Sequence, residues 1–186
     1  METEIKRQPI HILFFGLIIF LKYLDRWQLV LLFLFLLLVT MVFIPKSKIR
    51  HHLYRPADQK YSRGAIAYFV ILIILTLAWP VHIVGAALAA LALGDGFATL
   101  IGKKFNRPKL PWNKDKSLAG SLAFGIATFL GCLLAITWLG PLLPNNQVLA
   151  MALVAAVGGA IVESLPLKIN DNVTVPLAVA LLLSLV

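Results

Sequence analysis

The feature that most constrains the fold is the apolar run WQLVLLFLFLLLVTMVFI at residues 27–44, which contains no ionisable side chain. A helix needs about 20 predominantly apolar residues to cross the hydrocarbon core of a bilayer. Similar runs recur along the chain, which is 60% hydrophobic and has a mean hydropathy of +0.90. These properties exclude an ordinary soluble globular protein and predict an all-α, polytopic membrane protein.

The apolar runs predict about seven transmembrane helices in a single domain that covers residues 1–186. Small residues allow helices to pack closely in membranes, and they are concentrated in the fourth and sixth spans, which we therefore expect in the interior of the bundle. We predict that the helices of residues 1–79 lie at the periphery and that residues 80–186 supply the catalytic helices and loops. The predicted spans are residues 9–22, 27–44, 64–79, 82–101, 118–139, 147–165 and 173–186.

The net charge of +9 is concentrated in two basic loops, at residues 45–63 and 102–117. Because the lysines and arginines of these loops flank apolar spans, we interpret the charge as membrane topology and phosphate binding, and we expect no nucleic-acid partner. The positive-inside rule places both loops and the N-terminus in the cytoplasm and the C-terminus outside. Cys132 is the only cysteine, which excludes an internal disulfide.

Carboxylates within apolar runs are costly, at least about 2.5 kcal/mol at the bilayer centre, and they usually mark function. Asp95 lies between two glycines in LALGDGFATLIGKK, Glu163 lies at the matching depth of the sixth span, and Asp171 follows in the next connection. The predicted topology brings all three acids to the cytoplasmic boundary. There they face a basic loop whose lysines are Lys103, Lys104, Lys109, Lys114 and Lys116.

Carboxylates beside lysines predict a site for a magnesium-bound nucleoside triphosphate, because Mg²⁺ binds carboxylates and phosphates while lysines neutralise phosphate charge. Ser117 is expected to cap the next helix, with Gly120 one turn later, and a helix N-terminus offers N–H groups to phosphate. The alternative is a structural network in which Asp95 and Glu163 pair with loop lysines. No GxxxxGK[ST] loop occurs in the sequence, so a soluble P-loop fold is not supported.

Two motifs resemble those of the phytol kinase, dolichol kinase and CTP-dependent diacylglycerol kinase family, which is related to phosphatidate cytidylyltransferases. The motifs are GDGFATLIGKKFNRPKLPWNKDKSLAGS at residues 94–121 and VESLPLKINDNVTVPL at residues 162–177. The N-terminal stretch EIKRQPIHI is similar to the charged opening of the family, although Gln8 stands where the family often has lysine. The resemblance covers most of the chain.

The resemblance implies a membrane kinase that transfers the terminal phosphoryl group of CTP, with Mg²⁺, to the hydroxyl of a lipid alcohol such as phytol, dolichol, another polyprenol or diacylglycerol. Asp95, Glu163 and Lys116 are the expected catalytic residues, and Asp95, Glu163 and Asp171 the expected metal ligands. Each of Asp95 and Glu163 can be read as a metal ligand or as a general base. The expected nucleotide-binding residues are Gly94, Gly96, Lys103, Lys114, Lys116, Ser117, Gly120 and Asn172.

Two other functions fit parts of the sequence. A cytidylyltransferase would use CTP and Mg²⁺ to make a CDP-lipid, but its C-terminal signature includes histidine, and no histidine follows His82. A small transporter would distribute carboxylates through the membrane depth, whereas these acids gather at one boundary. The short chain and its few external loops favour a prokaryotic cytoplasmic membrane with the active site facing the cytoplasm, and the small-residue faces allow an oligomer.

Overall fold

The fold is described by a computed structural model that covers residues 2–48, 50, 54, 58, 60–140 and 143–186, with side chains from residue 8 onward. Helix makes up 79% of the structure, and none of the residues covered lies in a strand. The predicted all-α class is therefore confirmed. The basic loop at residues 45–63 is covered only in part, and Arg55 lies outside the described residues.

The helices follow the order of the predicted spans. The chain begins with α1 (Glu2–Leu13), a 3-10 turn (Phe14–Leu17) and α2 (Ile18–Tyr23), followed by α3 (Arg26–Leu38), a π-helical turn (Val39–Phe43) and a 3-10 turn (Ile44–Lys46). The central part comprises α4 (Arg63–Ala78), α5 (Val81–Ala89), a π-helical turn (Ala90–Gly94) and α6 (Asp95–Lys104). The last part comprises α7 (Leu118–Leu139), α8 (Asn145–Ser164) and α9 (Asp171–Leu183).

Four helical segments of the described chain are long and apolar enough to cross a membrane. They are Arg26–Lys46, Val81–Lys104, Leu118–Leu139 and Asn145–Ser164. Three further apolar helices are shorter: Gln8–Tyr23, Arg63–Ala78 and Asp171–Leu183. The chain is thus a helical membrane protein, while a topology with seven spans stays a prediction.

Burial separates interior helices from peripheral ones. In Val81–Lys104, 72% of the apolar stretch is buried, against 22% in Arg26–Lys46. Asn145–Ser164 follows with 44%. The fourth predicted span is therefore interior, as expected from its alanines and glycines, which let neighbouring helices approach closely. The interior position of the sixth span stays a prediction.

Short polar side chains cap several helices and fix where they begin. Ser117 accepts a hydrogen bond from the Gly120 N–H at 3.2 Å, which confirms Ser117 as the predicted cap of α7. Asn170 caps α9 in the same way through the Asn172 N–H at 3.0 Å. Such caps satisfy backbone donors that have no partner within the helix. Both lie in the connections that carry the predicted nucleotide and metal residues.

Candidate active site

A π-helical turn positions Asp95 at the start of α6. The N–H of Asp95 bonds to the carbonyl of Ala90, five residues earlier, instead of to Leu91. The Leu91 carbonyl instead accepts a hydrogen bond from Nε2 of His11 at 2.9 Å, and the same Nε2 lies 3.4 Å from Oδ2 of Asp95. Because π-helical turns inside α-helices often occur at functional sites, this turn singles out Asp95 and links it to α1.

Lys116 joins the two other predicted acids. Its Nζ lies 2.6 Å from Oε1 of Glu163 and 2.9 Å from Oδ2 of Asp171. The Glu163 side chain is only 3% exposed, and Oγ of Ser121 also donates to its second carboxylate oxygen, at 3.4 Å. Burial by itself would lower the pKa of Lys116, but the carboxylates of Glu163 and Asp171 outweigh it and raise the pKa above its usual value. Lys116 is therefore a firmly charged ammonium at neutral pH.

These side chains surround a polar pocket of about 220 Å³ between α6, α7 and α8. Its walls combine the three predicted acids and Asp115 with Lys116 and with small residues. The lining residues that belong to the predicted site are Asp95, Lys103, Lys116, Ser117, Gly120, Glu163 and Asp171. The pocket can hold a group that carries both negative charge and hydrogen-bond acceptors, as a polyphosphate does.

An apolar cavity of about 240 Å³ lies on the other side of Asp95, between α1, α3 and α4. Most of its wall is hydrocarbon and aromatic, and its polar end is formed by Asp95, His11 and Tyr68, because His11 contacts the other two. The other polar lining residues are Thr40, Tyr54, Ser62 and Asn172. The apolar lining includes Ile10, Phe14, Leu36, Val39, Ile44 and Phe69. Asp95 thus lines both the polar pocket and the apolar cavity. A group that contacts this carboxylate therefore lies between a charged pocket on one side and an apolar cavity on the other.

The predicted glycines serve helix packing. A Cβ atom at Gly94 would collide with Thr128 and Phe124 of α7, and one at Gly96 would come within 2.6 Å of the Ile12 side chain. Gly120 faces the backbone of α6, where a Cβ would lie 3.0 Å from the carbonyl oxygen of Ala98. These glycines therefore let α6 pack closely against α1 and α7. This close packing keeps the walls of the pocket in place.

The remaining predicted residues divide into two groups. Lys103 lines the polar pocket, and Asn172 lines the apolar cavity, where its amide donates to the carbonyl of Gly64 at 2.9 Å. Lys114 is exposed on the loop and does not line the polar pocket. Of the three lysines predicted to bind nucleotide, Lys103 and Lys116 therefore line the polar pocket, and Lys116 contacts Glu163 and Asp171.

The close crossing of α6 and α7 makes a specific prediction about stability. Gly120→Ala is expected to lower the free energy of unfolding by about 1–3 kcal/mol, because its methyl group meets backbone that cannot move aside. Gly125→Ala, on the same helix, is the matched control: nothing lies within 4 Å of a Cβ there, and alanine gains up to about 1 kcal/mol of helix propensity. Thermal unfolding of both variants in detergent measures the difference, and equal stability of the two would contradict the close crossing.

Magnesium fits this site with fewer protein ligands than expected. Within the described part of the chain, no group of three His, Cys, Asp or Glu side chains is spaced to hold a metal ion, because Glu163 and Asp171 converge on the Lys116 ammonium. Asp95 and Asp171 line the same polar pocket, and Mg²⁺ commonly uses one or two carboxylates together with substrate phosphates. The donor set therefore fits Mg²⁺ held by Asp95 and Asp171 jointly with a nucleotide.

Two residues at the polar end of the apolar cavity were missing from the predicted site. His11 lies in the N-terminal stretch that is similar to the family, Tyr68 lies in the predicted span at residues 64–79, and neither has a predicted role. Both are polar side chains within apolar helices, which is a usable signal. Their positions beside Asp95 depend on the packing of α1 and α4 against α6, which the sequence pattern does not contain.

Sequence comparison finds curated plant relatives. The chain is 36% identical over 133 residues to "Probable phytol kinase, chloroplastic" of Triticum aestivum, which covers 66% of this chain and 44% of the relative. It is 37% identical over 101 residues to "Farnesol kinase, chloroplastic" of Arabidopsis thaliana, with 52% and 33% covered. It is also 37% identical over 124 residues to "Probable phytol kinase 1, chloroplastic" of Glycine max, with 62% and 41% covered. The chain thus spans less than half the length of these relatives.

The other comparisons give no match: no protein-family model fits the chain, and no solved structure matches it significantly. The relatives are plant proteins named as chloroplastic, which goes against the expectation of a prokaryotic cytoplasmic membrane. Their names agree with the family that the two motifs resemble. The chain is therefore a homologue of proteins named phytol kinase and farnesol kinase.

Proposed function

We propose that the chain is a membrane kinase that transfers the terminal phosphoryl group of CTP to the hydroxyl of a lipid alcohol. The named relatives act on phytol or farnesol by their printed names, and we extend this substrate class, long-chain isoprenoid alcohols, to this chain. CTP as the donor rests on the two motifs. A kinase with a soluble acceptor would not need the apolar cavity. A transporter would not need Lys116 to contact Glu163 and Asp171 at one membrane boundary.

The single observation that carries the proposal is that Asp95 lines both the polar pocket and the apolar cavity. A nucleotide is charged and an isoprenoid alcohol is apolar apart from its hydroxyl, so the two substrates need adjoining sites of opposite character. The reaction then takes place where those sites meet. Holding both reactants there replaces a bimolecular encounter by an oriented one, which is a large part of what an enzyme supplies for phosphoryl transfer.

The proposed step is an in-line displacement at the terminal phosphorus. The oxygen of the alcohol forms a bond to phosphorus while the bond from phosphorus to the bridging oxygen of CDP breaks, so that the leaving group departs as CDP. The proton of the alcohol passes to the Asp95 carboxylate and from there to solvent. The products are a lipid phosphate, CDP and one proton.

Lys116 stabilises the phosphates of the nucleotide in this proposal. Its ammonium is fixed by Glu163 and Asp171 at 2.6 and 2.9 Å, so it is already oriented before substrate arrives. Such preorganised charge costs no reorganisation during the reaction. Mg²⁺, when bound through Asp95 and Asp171, would neutralise phosphate charge and orient the terminal phosphoryl group. Ser117 lines the pocket at the start of α7, where the positive end of the helix dipole favours the negative charge of phosphate.

We further propose that all seven apolar helices cross or enter the membrane and that the pocket opens on the side of the basic loops. Lys103 and Lys116, which belong to the basic loop at residues 102–117, line the polar pocket. The positive-inside rule assigns that side to the compartment in which the protein is made or inserted. Mapping by cysteine labelling tests this orientation, and labelling of the 102–117 loop from the opposite side only would contradict it.

The proposal is tested with the purified full chain, CTP labelled at its terminal phosphate, Mg²⁺ and a panel of lipids in mixed micelles. The panel comprises phytol, farnesol, a long polyprenol, diacylglycerol and phosphatidate. Transfer of label to an alcohol supports the kinase. Release of pyrophosphate with formation of a CMP-linked lipid from phosphatidate would identify a cytidylyltransferase instead. No transfer to any lipid would overturn both enzymatic functions. Replacement of CTP by ATP tests the choice of donor.

Filling the apolar cavity provides an independent prediction. Ala65 lines this cavity, and Ala65→Leu is expected to raise KM for a long-chain alcohol at least about tenfold, because the added methylenes occupy space that the chain requires. KM for CTP is expected to stay unchanged, since Ala65 does not line the polar pocket. Steady-state kinetics with both substrates measures the two constants.

The matched control fills a different apolar groove. Gly125 lines a lipid-facing groove between α7 and α8, together with Ile126, Phe129 and Val157. That groove also reaches Ser121 near Glu163, so it is the competing entry route. Gly125→Leu is expected to leave both KM values unchanged. A larger effect of Gly125→Leu than of Ala65→Leu would move the acceptor to the α7/α8 groove.

A further inference from the structure

Tyr68 carries a buried hydroxyl that the fold itself does not use. The residue lies in α4 and is 2% exposed. Within the described part of the chain, its Oη has no hydrogen-bond partner. Buried hydroxyl groups are hydrogen-bonded in the large majority of cases, because losing water without gaining a partner is unfavourable. An unpaired buried hydroxyl therefore calls for a partner that arrives from elsewhere.

The ring of Tyr68 is held firmly without its hydroxyl. Its centroid lies 5.2 Å from that of His11 in an edge-to-face arrangement, 5.5 Å from that of Phe14 and 5.4 Å from that of Phe69. These are favourable distances for aromatic pairs. A phenylalanine would make the same three contacts, so packing alone does not account for the oxygen atom.

The position of Tyr68 distinguishes it from the other buried polar atoms that lack a partner. Those described atoms belong to Gln8, Thr128 and Thr174, and none of these residues lines the apolar cavity. Tyr68 does line it, at the end where Asp95 and His11 lie. His11 contacts both Tyr68, through its ring, and Asp95, through Nε2 at 3.4 Å. The unpaired hydroxyl thus belongs to the residue group that surrounds the proposed reacting carboxylate.

We propose that Oη of Tyr68 donates a hydrogen bond to the hydroxyl oxygen of the acceptor alcohol when the alcohol's chain occupies the apolar cavity. An alcohol oxygen accepts through its lone pairs and donates its single O–H. With Tyr68 as the donor to that oxygen, the alcohol's own O–H is directed to the Asp95 carboxylate. This inference rests on the proposed function, and it assigns Tyr68 to acceptor binding and orientation.

The contact also provides selectivity at the head of the substrate. A cavity lined only by hydrocarbon disfavours an alcohol relative to an alkane of the same length, because the alcohol's hydroxyl loses water without gaining a partner. A buried hydroxyl donor changes this balance, because a ligand that lacks a hydroxyl leaves Tyr68 unpaired. Tyr68 therefore favours a hydroxyl-terminated chain over the other apolar molecules of the bilayer.

The test uses Tyr68→Phe in the full chain, with the best alcohol acceptor and the matching hydrocarbon in which hydrogen replaces the hydroxyl. We expect KM for the alcohol to rise about three- to tenfold in the variant, the effect of one neutral hydrogen bond. The inhibition constant of the hydrocarbon and KM for CTP are expected to stay at the wild-type values. A role in packing alone would instead shift the alcohol and the hydrocarbon together. Tyr23→Phe, on an exposed tyrosine, is the control for loss of a phenol elsewhere.

An equal shift for both ligands, or no shift for either, overturns the proposal. Failure of the proposed function is recognised separately, because the wild-type protein would then phosphorylate no alcohol. In that case, stabilisation against thermal unfolding provides the measurement, since a ligand that binds the native state raises the melting temperature. Greater stabilisation by the alcohol than by the hydrocarbon in wild type, lost in Tyr68→Phe, supports the contact. Equal stabilisation by the two ligands overturns it.

Discussion

Asp95→Asn is expected to lower kcat for lipid phosphorylation by about a hundred- to ten-thousand-fold, the range of a lost general base. Asparagine has nearly the same shape and keeps an oxygen at the carboxylate position, which lies 3.4 Å from Nε2 of His11 in the wild type. It cannot accept the proton of the alcohol and it contributes no charge to a bound cation. Single-turnover transfer of labelled phosphate measures the loss, and thermal unfolding checks that the fold is kept.

Asp25→Asn is the matched control for this substitution. Asp25 caps α3 by accepting hydrogen bonds from the N–H groups of Trp27 and Gln28 at 2.8 and 2.9 Å. Asparagine caps helices about as well as aspartate, and Asp25 lines neither the polar pocket nor the apolar cavity. The control removes the same charge and is expected to retain wild-type activity. Wild-type turnover in Asp95→Asn would remove this carboxylate from the mechanism.

Lys116→Met is the second substitution with a large expected effect. Without the ammonium, Glu163 is left 3% exposed beside Asp171 with no counter-charge from Lys116. Removing one partner of such a buried pair lowers the free energy of unfolding by about 3–5 kcal/mol. Loss of a preorganised charge on the phosphates lowers kcat by about a hundred- to a thousandfold. Thermal unfolding and phosphoryl transfer measure the two effects on the same preparation.

The double variant Lys116→Met/Glu163→Gln separates these two roles of the lysine. It removes the uncompensated carboxylate, so the stability is expected to recover in large part. The activity is expected to stay low, because the phosphates still lack the ammonium. Lys104→Met, at an exposed lysine at the end of α6, is the charge control. Recovery of activity together with stability would reduce Lys116 to a structural role.

The helical elements were predictable because they depend on local sequence. Three signals depend only on residues that are close in sequence. They are apolar runs long enough to cross a membrane, small residues in the interior spans, and a serine before an apolar run. The predicted span 118–139 therefore agrees with α7 (Leu118–Leu139), and Ser117 caps it. The grouping of Asp95, Glu163 and Asp171 around one pocket followed from topology, since it required only that the three acids lie at the same depth.

The finer geometry of the site was not predictable, for two physical reasons. The π-helical turn Ala90–Gly94 changes the rotation of α6 relative to α5, and nothing in a run of alanine, leucine and glycine marks such a change. The contact of His11 with Asp95 joins two residues far apart in the chain and depends on helix packing. Helix packing also brings side chains of α1 and α7 into the space next to Gly94 and Gly96, the two glycines beside Asp95 that are predicted to bind nucleotide.

The bridge from Lys116 to Glu163 and Asp171 has a consequence for the biogenesis of the protein. When a newly inserted helix carries an acidic residue, that carboxylate needs a positively charged partner as the helices pack together. A diffusible cation can be this partner only when the cell supplies it. Here the neutralising group belongs to the same polypeptide, so it is present at a fixed one-to-one ratio from the moment of synthesis. The bundle can then mature and remain in the bilayer in periods when nucleotide is scarce. Under the proposed function, the nucleotide then meets an ammonium that is already fixed in place.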